Sequence, residues 1–227
     1  HYDGGLSSII VGATMASSVP THMDAPRTNL LMRSGRQVNL YDPSPTDMVL
    51  EDWVTGASRV ARWGGQTQGE TAYNVAQHSV LVEDILVNRV WPKAPREARL
   101  WALAHDLHEG GGLGDIVTPY GALFARAGLK EVKIRIDHAL RLAMGLPAEI
   151  PEEHKKAIKR ADTIAAVSEA VQLMGWPEKT ARRDIGGSYR GNEENAALHL
   201  AAVEGIDVLL TGHQHLVFPG AKAFDGI

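Results

Sequence analysis

The sequence predicts an all-α protein, and two observations lead to this prediction. Apolar residues recur at intervals of three and four between residues 44 and 175, which is the spacing of a buried helix face. No alternation of apolar and polar residues competes strongly in the same stretch. The 227 residues have room for one domain with a short extension at each end.

Five helices are expected in this stretch, and capping residues, proline and glycine set their limits. Asn74 is a residue type that favours a helix N-terminus, and Pro95 suits a first helical turn. Gly110 begins a run of three glycines that should end the third helix. The predicted helices start near Ser44, after Asn74, near Pro95, at Leu129 and at Pro151, and the last two end near Met144 and Met174.

The two ends of the chain differ from the helical part in composition. Residues 1–40 are rich in Gly, Ser, Thr and Pro and show no sustained period, so we expect an irregular N-terminal extension. Residues 41–186 would form the helical domain. Residues 187–227 would form a C-terminal appendage, with a helix over Asn192–Val203 and a short strand over Ile206–Leu210.

Composition limits the classes of function. A formal net charge of −4 argues against partners such as polymeric nucleic acid or an anionic membrane, because both require a basic surface. The absence of cysteine excludes disulfides, thiolate metal ligands and a cysteine nucleophile. No apolar run reaches the roughly 18 residues of a membrane-spanning helix, and no signal-peptide pattern is present. A cytoplasmic location is therefore expected, and a small anionic substrate stays compatible with the composition.

The segment over residues 104–109, Ala-His-Asp-Leu-His-Glu, carries the most informative side chains. Neighbouring residues on a helix point about 100° apart, so His105 and Asp106 can both reach one point beside the helix. Glu109 is four residues from His105 and three from Asp106, which places it on the same helix face. His78 and Asp162 lie among apolar residues on neighbouring helices, so their side chains should also point inward.

These residue types together predict a metal site. A buried carboxylate without a partner is costly in free energy, and metal coordination offsets that cost. Two imidazoles and two carboxylates suit one divalent ion such as Mn, Fe, Co, Ni or Zn, with Mg bound more weakly. The other helical histidines are expected elsewhere: His108 on the surface or behind the ligands, and His138 and His154 on solvated helix faces.

His78, His105-Asp106 and Asp162, in this order, resemble the H…HD…D signature of the HD-domain phosphohydrolase superfamily. The neighbouring segments Arg62-Trp63, Asn74–Ser79 and Gly114–Pro119 resemble its small stand-alone branch, which includes bacterial 5′-deoxynucleotidases. The resemblance covers about residues 32–185 and implies an HD-domain helical bundle. It also implies that the four residues of the signature hold the metal ion.

The resemblance assigns roles to further residues. Glu109 matches the acidic residue that handles protons near the scissile bond, and Asp115 matches the aspartate that orients the attacking water or the substrate. Arg62 matches the phosphate-binding arginine, whose planar fork suits a pair of phosphate oxygens. Thr118 would also contact substrate, and Trp63 would either pack beside the base or fill the core.

The appendage resembles a different family. Its Gly-His-Gln-His sequence, ending at His215, is similar to the final metal motif of calcineurin-like phosphoesterases, in the cyclic-nucleotide phosphodiesterase and nucleotidase branch. In that family His213 and His215 would be metal ligands. The partner motifs of that family are absent from this chain, and a segment of about 40 residues is too short to build its own core.

The expected function is metal-dependent release of phosphate from a nucleotide or a related small phosphoester by an activated water. One alternative is a module that binds metal and nucleotide without turnover. Another is a phosphodiesterase activity of the appendage, which alone predicts complete loss of activity when residues after Gly187 are deleted. The sequence does not specify the substrate, the number of phosphates released or the native metal, and exposed helix faces would allow a homodimer.

Overall fold

The computed structural model describes residues 28–124 and 127–186. Within these ranges the protein is mostly helical, which agrees with the all-α class. A two-stranded hairpin precedes seven α-helices. The helices are α1 (Leu50–Ala57), α2 (Val75–Ile85), α3 (Arg96–Ala104), α4 (Thr118–Phe124), α5 (Leu129–Ala143), α6 (Glu152–Gln172) and α7 (Glu178–Asp184). None of the helices in the described ranges combines the length and the apolar character needed to cross a membrane.

For two of the five predicted helices, α2 and α5, the observed limits agree closely with the prediction. Asn74 caps α2 through a reciprocal pair of hydrogen bonds: its side chain accepts from the Gln77 backbone, and the Gln77 side chain accepts from the Asn74 backbone. Helix α5 begins at Leu129 as expected and ends at Ala143, one residue before the predicted end. Helices α4 and α7 were not predicted, because each has only seven residues and too few apolar positions to show a period.

The hairpin corrects the expectation of an irregular segment over residues 1–40. Strand β1 (Asn29–Leu31) pairs antiparallel with β2 (Gln37–Asn39). Val38 is fully buried, and Ser34 in the turn donates to the Asp52 carboxylate of α1 from both its backbone N–H and its hydroxyl. Strands of three residues are too short to show an alternation of apolar and polar residues, and the polar residues around them add no strand signal. Residues 1–27 of the expected extension lie outside the described part of the chain.

The third predicted helix ends earlier than expected, and this was the main error within the helical region. Helix α3 stops at Ala104, Asp106 leaves helical geometry with φ −111° and ψ 14°, and Leu107–Gly111 forms a tight 3-10 turn. The turn lies directly against α1, so closely that a Cβ atom on Gly56 or Gly110 would overlap the backbone of the other segment. Only glycines allow this approach.

Two groups of buried apolar side chains form the core, and α2 contributes to both. One group joins α2 to α3 and α6 through residues such as Ile85, Trp101 and Ile158. The other joins α2 to α1, α5 and the hairpin through residues such as Val75 and Trp53. Helix α2 is therefore held on several sides, which fixes the position of the polar side chains that it carries.

Candidate metal centre

Three helical segments bring the four predicted ligands together. His78 lies on α2, His105 and Asp106 follow the end of α3, and Asp162 lies on α6. The Nε2 atom of His78 is 3.2 Å from Nε2 of His105 and 3.2 Å from Oδ1 of Asp162. Nε2 of His105 is 3.3 Å from Oδ2 of Asp106 and 3.8 Å from Oδ1 of Asp162. We call these four residues the His/Asp cluster.

The spacing of these atoms fits one metal ion. Ligands about 2.1 Å from an ion are about 3.0 Å apart at right angles and about 3.4 Å apart at tetrahedral angles. The five separations that involve a histidine are 3.2–3.8 Å, which is near this range, so shifts of the side chains would bring the histidines and each carboxylate into contact with one ion. Four protein ligands would leave an octahedral ion with positions for other oxygen ligands.

Each imidazole is oriented by a hydrogen bond from its other ring nitrogen. Nδ1 of His105 is 2.8 Å from the carbonyl oxygen of Ala102, which can only accept, so this Nδ1 carries a proton. Nδ1 of His78 is 2.6 Å from Oε1 of Glu169. In the neutral tautomers both Nε2 atoms therefore direct lone pairs toward each other and toward carboxylate oxygens. A cation between these atoms would remove the repulsion between their lone pairs.

The electrostatics of the cluster also favour added positive charge. Burial opposes a charge on His105, but the neighbouring Asp106 carboxylate outweighs burial and raises the pKa of His105 to about 9. Burial would raise the pKa of Asp162, but the hydrogen bond from His78 and the charge of His105 hold it below its usual range. The carboxylates thus attract either protons or a metal ion to the same place.

Glu169 is a member of the site that the sequence analysis missed. Its buried carboxylate binds His78 and also accepts from Nε of Arg62 at 3.2 Å and from Nε1 of Trp63 at 2.9 Å. Glu169 lies seven residues after Asp162, which is two helical turns on the same face of α6. Extending the inward face from Asp162 would have identified it.

Arg62 and Trp63 lie beside the cluster, as the sequence analysis expected of substrate-binding residues. The Arg62 guanidinium is mostly buried, and its Nη1 is 3.4 Å from Oδ2 of Asp106. Trp63 has φ +58°, a backbone conformation that is strained for a bulky side chain. Its backbone N–H donates to Oδ2 of Asp115 at 2.9 Å, and its ring meets Trp176 edge-on with centroids 5.8 Å apart. Contacts with Asp115, a predicted site residue, and with Trp176 thus hold Trp63 in this strained conformation.

Glu109 is buried next to the cluster even though the helix that should carry it ends early. Burial, together with the Asp106 and Asp115 carboxylates, raises the pKa of Glu109 to about 9. Lys133 of α5, which the sequence analysis did not select, places its Nζ 3.8 Å from Oε1 of Glu109. Thr118 is exposed at the first residue of α4, and no hydrogen bond or ion pair joins it to the cluster within the described ranges.

The three remaining histidines of the helical region differ in their surroundings. His108, expected either on the surface or behind the ligands, is buried, with Nδ1 2.9 Å from Oδ1 of Asp137. His154 is only partly exposed, and its ring packs edge-on against Trp91 and Trp101. His138 is 36% exposed, as expected.

Lys159 was not selected from the sequence, although it lies one helical turn before Asp162 on α6. Its Nζ is 2.7 Å from Oδ2 of Asp162, so this carboxylate has one oxygen on the lysine and the other directed at the histidines. His213 and His215 lie outside the described residues, as does the rest of the predicted appendage.

The chain has a relative of similar length. No protein-family model matches it. It is 40% identical over 186 residues to an uncharacterized protein of Rhodobacter capsulatus, in an alignment that covers 82% of this chain and 93% of that protein. Similarity at this level over most of both chains shows that the chain belongs to the same family as the Rhodobacter capsulatus protein.

Proposed function

We propose that the protein is a metal-dependent phosphohydrolase of the HD-domain kind, which releases phosphate from a nucleotide or a similar small phosphoester. The observation that carries the proposal is the convergence of two Nε2 atoms and two carboxylates, with an arginine beside them. The order of these residues along the chain, with the HD-type segments around them, supports the assignment to this superfamily. Ligand atoms of His78, His105 and Asp106 lie within 4.8 Å of one another, and Oδ1 of Asp162 lies within 3.8 Å of both Nε2 atoms, a grouping that separate ion pairs would not require.

A bound divalent ion would supply Lewis acidity to a phosphate oxygen and would lower the pKa of a water molecule. Arg62 can pair with the phosphate, because its contact with Asp106 is long at 3.4 Å. Glu169 holds both Arg62 and His78, so the anion-binding and metal-binding groups keep a fixed spacing.

Glu109 and Asp115 would divide the proton handling between them. The burial of Glu109 and the charges around it favour its protonated form, which suits the group that protonates the leaving oxygen. Asp115 is oriented by the Trp63 N–H, and its second oxygen would be available to position the attacking water. We place Trp63 and Trp176 beside the substrate, where their rings offer apolar surface to a nucleobase.

The proposal is tested by phosphate release from a panel of deoxynucleoside monophosphates and triphosphates. The full chain is stripped with a chelator, and Mn, Co, Ni, Zn or Mg is added back singly. We expect metal-dependent release, with orthophosphate or triphosphate as product identifying the subclass. Asp106→Ala is expected to lose metal retention and activity together, and a Lys130→Met variant on the exposed side of α5 serves as a matched surface control.

Two outcomes would contradict the proposal. An Asp106→Ala variant that keeps full metal content and activity would exclude the His/Asp cluster as the centre. A metal-loaded wild-type protein that binds nucleotides and releases no phosphate from any member of the panel would favour the binding module instead.

A further inference from the structure

Two buried polar atoms beside the His/Asp cluster have no hydrogen-bond partner among the described residues. They are Nε2 of His108 and Oε2 of Glu109, on side chains that are 5% and 6% exposed. The ligand atoms available from Asp106, His108 and Glu109 all lie within 4.8 Å of one another. Leaving such groups buried and unpaired is costly in free energy, by about 1–3 kcal/mol each, so a partner at this position would be stabilising.

The 3-10 turn after α3 places these three side chains together. In a 3-10 helix, side chains three positions apart are nearly eclipsed, which aligns Asp106 with Glu109. Gly110 and Gly111 pack against α1 and hold the turn in this tight form. The 3-10 turn thus keeps Asp106 and Glu109 on one face, as the i,i+3 spacing of the sequence predicts.

The orientation of His108 matches that of a metal-ligating histidine. Its Nδ1 is 2.9 Å from Oδ1 of Asp137, so a carboxylate on α5 fixes the ring and leaves Nε2 as the atom that can bind a ligand. The same relation holds for His78, whose Nδ1 contacts Glu169.

We propose that Asp106, His108 and Glu109 form a second divalent-cation site, which shares Asp106 with the His/Asp cluster. One imidazole and two carboxylates suit Mn, Co or Zn. Adjacent ligands of such an ion are about 3.0–3.4 Å apart, and the three atoms lie within 4.8 Å of one another, so side-chain rotations would have to bring them closer around the ion. The site is the weaker of the two, because it has three protein ligands and because Lys133 lies 3.8 Å from Glu109.

The second site has a consequence for activity that rests on the proposed function. Because Asp106 would be shared between the two ions, occupation of the weaker site would change the charge beside the His/Asp cluster and would therefore alter the turnover measured in excess metal. The binding site itself does not depend on hydrolysis, since His108 and Glu109 are already buried beside Asp106 without substrate.

The test counts bound Co²⁺ on the full chain after chelator treatment, by equilibrium dialysis and elemental analysis over rising Co²⁺ concentrations. A His213→Asn/His215→Asn background removes the two histidines of the Gly-His-Gln-His sequence from the count. In this background we expect one tightly bound and one more weakly bound ion. Adding His108→Asn or Glu109→Gln should remove the weaker ion and leave the tight one, whereas the exposed His138→Asn should keep both.

Glu109→Gln conserves side-chain volume, so it remains informative if His108→Asn does not fold. A single ion in the parent background at every Co²⁺ concentration would overturn the second site, as would two ions that persist in Glu109→Gln. Phosphate release measured with one equivalent of Co²⁺ separates the two proposals. Hydrolysis without a second bound ion refutes only the second site, and two bound ions without hydrolysis refute only the phosphohydrolase.

Discussion

Replacing Glu169 with glutamine is the sharpest perturbation of the candidate centre that leaves every ligand in place. The Glu169 carboxylate accepts from His78 Nδ1 at 2.6 Å, Trp63 Nε1 at 2.9 Å and Arg62 Nε at 3.2 Å. A glutamine amide has the same size but offers one acceptor atom, and its NH₂ group would face a donor. The substitution therefore removes a charge and at least one hydrogen bond from a fully enclosed position.

Two magnitudes follow from these contacts. Loss of the group that orients a metal-ligating histidine typically lowers metal affinity 10–100-fold, or by about 1.4–2.7 kcal/mol. Removing one partner of a buried ion pair costs about 3–5 kcal/mol, and the amide oxygen recovers part of this, so we expect a loss of about 3 kcal/mol in unfolding free energy. The pKa of His78 should fall as well, because burial lowers it and the Glu169 charge is the first group that raises it.

Chelator competition with Co²⁺ or Zn²⁺ gives the metal affinity, and urea denaturation of metal-free protein gives the free energy. Glu153→Gln is the matched control, since it makes the same chemical change on the same helix at an exposed position. The reasoning fails if Glu169→Gln binds metal within twofold of the wild type, or if both variants unfold at the same urea concentration.

Three further predictions concern packing, phosphate binding and pH. Gly111→Ala would place its Cβ inside the ring of Trp53, so we expect a loss of about 2–3 kcal/mol in stability by urea denaturation, and an unchanged midpoint would contradict this contact. Arg62→Lys keeps the charge and loses the planar fork, so KM for the phosphoester should rise about tenfold in steady-state kinetics with metal content unchanged. Burial and the adjacent Glu83 raise the pKa of Asp84, so its charge destabilises the fold above the ordinary carboxyl pKa and not below it. Asp84→Asn should accordingly raise the melting temperature at pH 7, with a gain that shrinks toward pH 3; an equal gain at both pH values would refute the assignment.

The sequence predicted the helical class and the ligand set because both depend on local patterns. The cap at Asn74 and the glycine and proline residues between helices determine helix limits through interactions with residues nearby in the sequence. The order of His78, His105, Asp106 and Asp162 can be read directly from the sequence. Whether these four residues bind metal stays a prediction, although the structure places their ligand atoms together.

The features that could not be predicted depend on contacts between distant segments. Helix α3 ends early because Gly110 must approach α1, and nothing within residues 95–112 encodes the position of α1. The burial of His108 likewise depends on Asp137, which is 29 residues further along the chain. The hairpin is formed by two three-residue strands, which are stabilised by the burial of Val38 in the core and by the hydrogen bond from Ser34 to the Asp52 carboxylate. None of these contacts between distant segments produces a periodic pattern of apolar residues in the sequence.

The close approach of Gly56 and Gly110 also determines how this part of the molecule can move. The backbone of α1 and the turn that carries Glu109 touch without intervening side chains, so neither can shift without displacing the other. Local opening of α1 should therefore expose the amides of the turn at the same time, as a single cooperative unit in native-state hydrogen exchange. Helix α1 carries no candidate ligand, but its fluctuations would thus move the turn that carries Glu109.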